Sequence, residues 1–509
     1  MPNHSNRNNF SLEKMKPNIL LLFCDQLRYD CVGSSGIRPV HTPNMDSIAR
    51  GGLRFTNAYT PQPLCCPARQ SLLTMRRPER DGFLWNHDIA LKTISMTPGE
   101  RIWPVRLSEA GYRMAYVGKW HESESHSPLA FGYDIYDCDE DYKKYREQKY
   151  GVTKFTNGID GEIDPVPLAD SHTHWLARLA CARLEQLAGK GGAGDGECGD
   201  DGGGSPQASA SSGALTTRNG ATGPWHLRVD FTEPHPPVRP SAEFARMYKV
   251  DEIEPWDGFD DQFVNKPYIQ KQMVHTWGLE NYDWARWSSI VARYYATVSQ
   301  LDDAIGKILD TLERCGRADN TLVILMPDHG DMCGAHRMID KHNVLYDDIV
   351  HVPMFIKWPG AIPAGQSVDA FVQSTLDIGP TILEAAGLAA PDNIDGRSLF
   401  PLFGGGGDAP AGWRDCAVAT YNGQQFGLYT QRMIRDNKWK YIWNTCDIDE
   451  LYNVIDDPGE LVNRVYDPEC AELLINMRRR LHDILLREGD GLLKNYWLRD
   501  QLLGKTKKL

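Results

Sequence analysis

The feature that most constrains the fold is a series of short apolar runs, most of which are followed directly by polar or ionisable residues. Short, nearly continuous apolar strands are typical of a parallel sheet that is buried on both faces. Between the runs, apolar residues recur at helical spacing, most clearly over residues 290–312, and predict covering helices. The sequence therefore predicts an α/β fold, a large, mixed, mostly parallel sheet sandwiched by helices. The predicted strands are Ile19–Phe23, Met114–Val117, Leu227–Phe231, Leu322–Met326 and Met354–Ile356.

Ionisable residues come shortly after four of these predicted strands. Asp25 follows the first, Lys119 the second and His235 the third, and Asp328 with His329 follows the fourth. In open α/β sheets, ligands bind beyond the carboxyl ends of the strands, where the loops meet. We therefore expect these side chains to form one site.

Glycine-rich segments divide the chain of 509 residues. Residues 1–403 are predicted to form the large α/β domain, with a disordered low-complexity insertion over 189–223. Residues 404–412 read as a Gly-rich linker. Residues 413–509 are predicted to form a smaller C-terminal α+β subdomain. Its expected elements are a β-hairpin over 433–443 and a closing amphipathic helix over 473–486.

Composition excludes several classes of protein. With 55 Lys+Arg against 68 Asp+Glu the net charge is −13, which argues against a nucleic-acid or anionic-membrane binder. The first apolar run is far shorter than the roughly 20 residues that span a bilayer, and the N-terminus lacks the order of a signal peptide. The 12 cysteines show no disulfide-framework spacing. We therefore expect reduced thiols, no membrane partner and a cytoplasmic location.

The segment Cys65–Arg69 has the form C-x-P-x-R. On its own it also fits a buried cysteine at the start of a helix, since proline is favoured in the first helical turn. A thiol redox role for Cys65 and Cys66 is a weaker alternative, because adjacent cysteines are awkwardly placed for an internal disulfide and no C-x-x-C is present.

With this motif, six further segments resemble the formylglycine-dependent (type I) sulfatases of the alkaline phosphatase superfamily. They occur in the order of that family, and the resemblance extends from Pro17 to about Asn463. The six segments are Pro17-Asn18-Ile19 leading to Asp25-Gln26, Gly118-Lys119-Trp120-His121, Pro234-His235-Pro236-Pro237, Pro327-Asp328-His329-Gly330-Asp331, Asp340-Lys341, and Val352-Pro353 leading to Trp358-Pro359-Gly360.

The resemblance implies a modified nucleophile. Cys65 would be oxidised to formylglycine by a formylglycine-generating enzyme, and the hydrated aldehyde would attack sulfur to form a covalent intermediate. His121 matches the family's base, which removes the second hydroxyl proton and so expels sulfate. Met75 occupies the position of a usual glycine in the segment that guides this maturation.

The resemblance also implies cations around the reacting group. Arg69, Lys119 and Lys341 would surround the sulfate and the diol, because charge that accumulates on the sulfuryl oxygens calls for fixed positive groups. Either His235 or Lys341 could be the general acid. His235 is preferred, since imidazole titrates near neutral pH.

The family's metal ligands correspond to Asp25, Gln26, Asp328 and His329. Gln26 replaces the commoner second aspartate, and His329 replaces a common asparagine. An oxygen-rich site of this kind suits Ca²⁺. The imidazole and the lower negative charge make Mn²⁺ the alternative.

The predicted function is a sulfatase that hydrolyses sulfate esters, with a sulfated carbohydrate as the expected substrate. The runner-up is a phosphonate monoester or phosphodiester hydrolase with the same nucleophile, because Asp25-Gln26 with Asp328-His329 resembles that branch too. A third alternative is a catalytically inactive protein that binds anionic glycans. The sequence leaves a homo-oligomer open.

Overall fold

The computed structural model describes residues 16–87, 94–98, 102–189, 223–404, 409–424, 427–505 and 507. Nearly all of the predicted insertion, residues 190–222, and the centre of the predicted linker, residues 405–408, lie outside these ranges. The domain boundaries at 403 and 413 stay predictions.

The strands and helices alternate through the first three quarters of the chain. The strands are β1 (Asn18–Asp25), β2 (Leu53–Phe55), β3 (Ala58–Tyr59), β4 (Arg113–Gly118), β5 (Ile135–Cys138), β6 (Trp225–Pro234), β7 (Thr321–Pro327), β8 (Met354–Lys357), β9 (Gln366–Val368), β10 (Val372–Gln373), β11 (Ala417–Tyr421), β12 (Gln431–Arg435), β13 (Trp439–Asn444) and β14 (Glu450–Asn453). The α-helices are α1 (Pro43–Arg50), α2 (Cys65–Thr74), α3 (Pro78–Asp81), α4 (Trp103–Glu109), α5 (Asp141–Tyr150), α6 (His172–Leu187), α7 (Ala242–Ala245), α8 (Tyr268–Thr276), α9 (Trp284–Arg314), α10 (Asp347–Val350), α11 (Ser374–Ala385), α12 (Ala471–Glu488) and α13 (Tyr496–Leu502).

Eight strands form one mixed sheet in the order β5-β4-β6-β1-β7-β8-β2-β9. The pairs β4–β5, β4–β6, β1–β6, β1–β7 and β2–β9 are parallel. Only the two pairs made by β8, with β7 and with β2, are antiparallel. The predicted large, mostly parallel sheet is confirmed.

Both faces of this sheet are buried, as the apolar runs predict. Along β1 the side chains alternate between two hydrophobic clusters: Leu20 and Leu22 belong to one, and Ile19, Leu21 and Phe23 to the other. Helices α1, α6 and α9 cover the first face, and α2, α4 and α11 pack on the second. Because parallel strands leave the sheet at the same edge, the loops after β1, β4, β6 and β7 meet there.

A four-stranded sheet, β11-β12-β13-β14, with antiparallel pairing follows in the C-terminal part. Side chains of these strands also alternate between the two faces of the sheet, and each face packs against a different hydrophobic cluster. Met433 and Ile442 face the main core, whereas Ile434 and Trp443 pack with α12. The predicted C-terminal antiparallel sheet with a closing helix is confirmed. No described helix is long and apolar enough to cross a membrane.

Candidate active site

Cys65 is the first residue of α2, and its side chain is 2% exposed. All ten residues of this helix are buried, so packing holds α2 in place along its whole length. The Cys66 amide donates to Asn86 Oδ1 at 2.9 Å, which satisfies one N–H of the first turn. Pro67 lies in that turn, where it costs no hydrogen bond. The helix therefore presents Cys65 at its positive end, which favours a negative charge there.

Two carboxylates and an imidazole surround Cys65 at the carboxyl ends of β1 and β7. Its Sγ lies 3.7 Å from Asp25 Oδ1 and 3.4 Å from His329 Nε2. One ligand atom from each of Asp25, Cys65, Asp328 and His329 can be chosen so that all lie within 4.8 Å of one another. The structure thus brings together three of the four predicted metal ligands around the predicted nucleophile.

The orientation of His329 fits metal binding. Its Nδ1 lies 2.9 Å from the Gly330 carbonyl oxygen, which places the proton on Nδ1 and leaves Nε2 facing the cluster. A second hydrogen bond of this kind usually fixes the tautomer of a ligating histidine. Two carboxylates and a neutral imidazole suit a divalent cation.

Gln26 sits differently from the other predicted ligands. Its backbone adopts φ of +71°, and its Nε2 donates to Asp331 Oδ2 at 2.5 Å and to Asp340 Oδ1 at 2.9 Å. Its Oε1 accepts from Lys341 Nζ at 2.7 Å. Gln26 therefore joins Lys341 to the site, and its ligation of a metal stays a prediction.

The three predicted cations lie beside the cluster, each in a different setting. Arg69 is fully buried and donates to Asp25, Asp328 and Asp230, at 3.2, 3.2 and 2.6 Å. Lys119 Nζ lies 2.6 Å from Asp25 Oδ2 and remains 17% exposed. Lys341 is 3% exposed and pairs with the buried Asp340 at 3.2 Å, so Lys119 is the most exposed of the three cations.

The two predicted acid–base histidines are half-buried. His235 Nε2 lies 2.9 Å from Lys341 Nζ, and its Nδ1 lies 2.6 Å from the Pro236 carbonyl oxygen. The buried Nδ1 of His121 has no hydrogen-bond partner among the described residues. His121 is among the groups that oppose the effect of burial and lower the pKa of the Cys65 thiol. Both histidines are therefore more exposed than the carboxylates of the cluster, and His235 contacts the site through Lys341.

The electrostatics favour an anionic group at position 65. Burial raises the pKa of the Cys65 thiol, but Lys341, Lys119 and His329 outweigh it and hold the pKa well below its usual range. Burial lowers the pKa of His329, yet Asp328 and the Cys65 thiolate raise it to about 9. Without a cation, a proton on His329 balances part of this negative charge, and a metal would take its place.

Sequence reasoning missed three charged residues beneath the cluster. Asp230, Arg228 and Glu122 are fully buried and touch Arg69 or one another. The available signal was in the predicted strand Leu227–Phe231, where Arg228 and Asp230 alternate with apolar residues. Gly118 is required beside them, because a Cβ there would lie 2.0 Å from the Asp230 carbonyl oxygen.

Met75 and His336 lie outside the group of residues around Cys65. Met75 ends α2 with φ of +59°, a left-handed conformation that favours the glycine usual at this position. His336 stacks on Tyr346 with ring centroids 4.0 Å apart, and its Nδ1 lies 2.6 Å from Asp261 Oδ2. These contacts give His336 a structural role.

Comparison with known proteins places this geometry in a family. The family model described as Sulfatase matches residues 17–388, and the one described as N-sulphoglucosamine sulphohydrolase, C-terminal, matches residues 334–487. An arylsulfatase of Clostridium perfringens (strain 13 / Type A) is 27% identical over 532 aligned positions, which cover 96% of this chain and 98% of the relative.

Solved structures share the fold. One is a protein in complex with its substrate D-glucosamine-2-N,6-O-disulfate, with a TM-score of 0.72, 21% identity, and coverage of 94% of this chain and 99% of the other. Another is a phosphonate monoester hydrolase from Silicibacter pomeroyi, with a TM-score of 0.74, 20% identity and coverage of 94% and 96%. The family match, together with the alkaline-phosphatase-like fold, shows that the chain belongs to the sulfatase family and is a sulfuric ester hydrolase of the alkaline phosphatase superfamily.

Proposed function

We propose that this sulfatase hydrolyses sulfate esters of a carbohydrate, using formylglycine made from Cys65 and a bound divalent cation. The observation that carries the proposal is the position of Cys65. Its side chain starts a buried helix, faces two carboxylates and an imidazole, and lies in the field of Lys119 and Lys341. A sulfated gem-diol can expel sulfate by losing the proton of its second hydroxyl and re-forming the aldehyde. A thiol has no second hydroxyl and cannot do this, so the chemistry favours the modified residue.

The cation would be held by Asp25, Asp328 and His329, with Gln26 as a further candidate; Ca²⁺ is the first choice and Mn²⁺ the alternative. Formylglycine would supply the nucleophilic hydroxyl, and the cation, when bound, would supply positive charge next to the sulfate. The protein's own contribution is to hold these ligands rigidly and to exclude bulk water, since the carboxylates and His329 are fully buried.

Proton transfer falls to the two half-buried histidines. His121 lies on the Cys65 side, where its imidazole can accept the proton of the second hydroxyl. His235 Nε2 and Lys341 Nζ are 2.9 Å apart, so the pair can hand one proton to the leaving oxygen. The Nδ1 of His235 is held by the Pro236 carbonyl oxygen, which keeps Nε2 pointing at that partner.

Lys119 and Lys341 are proposed to stabilise the charge that develops on the sulfuryl oxygens. Arg69 acts differently, because its Nε and both terminal nitrogens already donate to carboxylates. We therefore assign Arg69 to the orientation of Asp25 and Asp328, one step removed from the sulfate.

A carbohydrate substrate is supported by the structural neighbour that binds a disulfated glucosamine. The alternative, hydrolysis of phosphonate monoesters or phosphodiesters, is supported by His329 and Gln26 and by the phosphonate monoester hydrolase of similar fold. The maturation enzyme as a partner, the cytoplasmic location and a homo-oligomeric state stay proposals.

The test begins with protein co-expressed with a formylglycine-generating enzyme. Peptide mass should show an aldehyde in place of the thiol at Cys65 and an unchanged Cys66. The protein should then cleave sulfated monosaccharides faster than matched phosphonate esters. Cys65→Ala should lower kcat/KM by about 10³-fold or more, whereas Cys66→Ala keeps most activity. A reversed ester preference would establish the alternative, and an active Cys65→Ala variant would overturn the mechanism.

A further inference from the structure

Beneath the candidate active site lies a continuous chain of buried charged groups that the proposed mechanism does not use. It consists of Asp230, Arg228 and Glu122, here called the buried triad. Asp230 and Arg228 lie on β6, and Glu122 follows β4 by four residues. All three are 0% exposed.

The triad begins at Arg69. Of the three carboxylates around its guanidinium, Asp230 is nearest, with Nη1 2.6 Å from Oδ2, against 3.2 Å for both Asp25 and Asp328. Charge-assisted hydrogen bonds of such length are the stronger ones. Asp230 therefore anchors one edge of Arg69, while the other edge reaches the two candidate metal ligands.

Arg228 continues the chain. Its Nε donates to Asp230 Oδ1 at 2.7 Å and its Nη2 to Asp230 Oδ2 at 2.6 Å, so the pair is bidentate. The same Nη2 donates to Glu122 Oε1 at 2.7 Å. The guanidinium lies about 5 Å from the rings of Phe23 and Tyr116. Its position is thus fixed from several sides.

Glu122 returns the chain to the active site. Its Oε2 accepts the backbone N–H of His121 at 2.9 Å, and its carbonyl oxygen accepts from Gln70 Nε2 at 2.9 Å. Gln70 follows Arg69 on α2. The triad therefore connects Arg69 at one end with the candidate base His121 at the other, through groups that solvent does not reach.

Stability of the fold does not account for the triad. Taking charged groups out of water costs several kcal/mol each, and apolar residues of similar volume are often at least as stabilising. The residues of β1 on the same face, Leu21 and Phe23, are apolar. They lie directly beside the triad, because Leu21 pairs with Arg228 and Phe23 with Asp230 in the sheet register.

Charge balance indicates what the triad does. Asp230 and Glu122 offset the charges of Arg69 and Arg228, so these four groups sum to zero. Without Asp230, the Arg69 guanidinium would be held by Asp25 and Asp328 alone and would compete with a cation for them. With Asp230 present, Arg69 has a partner of its own, and the two ligand carboxylates keep their charge for the metal.

We propose that Asp230, Arg228 and Glu122 are positioning residues for the sulfatase reaction: they hold the Arg69 guanidinium at the edge of the metal ligands and set the backbone of His121. This inference rests on the proposed function. The triad touches neither substrate nor nucleophile and acts through Arg69 and His121.

The test compares Asp230→Asn with Asp164→Asn in matured protein. Asp164 is a matched control, because it forms a buried bidentate pair with Arg146, at 2.7 and 2.8 Å, away from the cluster. Asp230→Asn should lower kcat by about 10²-fold, since small misplacements of catalytic groups cost that much. KM should stay within about threefold. Asp164→Asn should leave kcat unchanged, even if it lowers the melting temperature.

Glu122→Gln serves as a second variant should Asp230→Asn fail to fold. Glu122→Gln should lower kcat by a smaller factor than Asp230→Asn. If the reach of the side chain to Arg228 and to the His121 amide matters more than its charge, Glu122→Asp should lower kcat further than Glu122→Gln. Wild-type kcat in either folded variant overturns the proposal.

A crystal structure of unmatured Asp230→Asn gives a readout that does not depend on activity. The Arg69 guanidinium should turn away from position 230 and close on Asp25 and Asp328. An unmoved Arg69 would overturn the positioning role even if wild-type protein cleaves no ester tested. An inactive wild type with a displaced Arg69 would instead contradict the proposed function alone.

Discussion

Two buried charged clusters in this protein differ in how their charges are matched. The cluster around Cys65, called here the catalytic cluster after its proposed function, brings like charges together: Asp25 and Asp328 lie close to one another, and Lys119 and Lys341 both act on Cys65. The second lies under the C-terminal sheet. There Lys440 Nζ lies 2.5 Å from Asp347 Oδ1 and 2.7 Å from Glu460 Oε1.

The second cluster, called here the interface cluster, consists of Lys440, Asp347, Glu460, Lys266 and Asp261. The side chains of its two lysines are 0% exposed, and each ammonium has three oxygen atoms within 3.2 Å. It joins β13 to the segments around 346 and 460. Here each ammonium group lies against at least one carboxylate of opposite charge.

The comparison shows that buried charge alone does not mark an active site. What distinguishes the catalytic cluster is like charge brought together, with two carboxylates, an imidazole and the Cys65 sulfur close to one another. Such an arrangement is costly unless a ligand completes it. A Lys→Met substitution should therefore lower mainly stability in the interface cluster and mainly activity in the catalytic cluster.

The largest expected effect is on stability, from Lys440→Met in the interface cluster. Removal of one partner of a buried ion pair costs about 3–5 kcal/mol, because the carboxylates stay buried. Urea unfolding should show this loss, while kcat of the folded protein stays near the wild-type value. The exposed Lys438, on the same hairpin, supplies the control, and Lys438→Met should change stability little.

The reciprocal experiment is Lys341→Met in the catalytic cluster. Because Lys341 is proposed to stabilise the developing charge, its loss should raise the barrier by about 2–4 kcal/mol, a fall in kcat/KM of about 10²–10³-fold. The free energy of unfolding should fall less than for Lys440→Met, since removal of one lysine relieves repulsion with Lys119. A stability loss as large as that of Lys440→Met with little loss of kcat/KM would erase the distinction between the clusters.

The smallest expected effect is the pH dependence of folding stability that arises from His351, at the border of the interface cluster. His351 is stacked between Tyr29 and Tyr59, and burial lowers its pKa to about 4 against the opposing charge of Asp347. The unfolded chain binds this proton below about pH 6.5 and the folded protein only below about pH 4. Stability should therefore fall as the pH drops between these values, by up to about 3 kcal/mol.

His351→Gln should remove this share of the acid sensitivity. The measurement is the free energy of urea unfolding at pH 7 and at pH 4.5 for wild type and variant. The exposed His275 supplies the control, and His275→Gln should keep the wild-type difference between the two pH values. An equal difference in His351→Gln would show that His351 is protonated in the folded state.

Much of the fold could be predicted because buried strands and helices have regular patterns of apolar residues in the sequence. The apolar runs Ile19–Phe23 and Leu322–Met326 became the adjacent central strands β1 and β7. Helix α9 covers the predicted span 290–312 and extends beyond it at both ends. Short strands such as β2 and β5 were not predicted, because a polar residue interrupts each of these three- or four-residue segments, whereas the equally short β8 begins with three consecutive apolar residues.

Part of the candidate site could likewise be predicted from the sequence, and part could not. Asp25, Lys119, His235 and Asp328 could be placed together in advance, because parallel strands bring their carboxyl ends to one edge. Gln26 was predicted as a ligand, yet its positive φ directs the amide to Asp331 and Asp340. Backbone conformation of that kind depends on the packed loop and leaves no pattern in the sequence.

By itself, the sequence determined the class of fold, the order of the catalytic segments and the chemical types of the groups that meet. These follow from local burial and from residue identity. Only the tertiary structure decided which charges pair and which stay unmatched, because Arg228 and Asp230 read as ordinary polar positions until β6 lies between β1 and β4. Pairing of charges depends on distances of a few ångströms between residues more than 100 positions apart, and those distances exist only after the chain has packed.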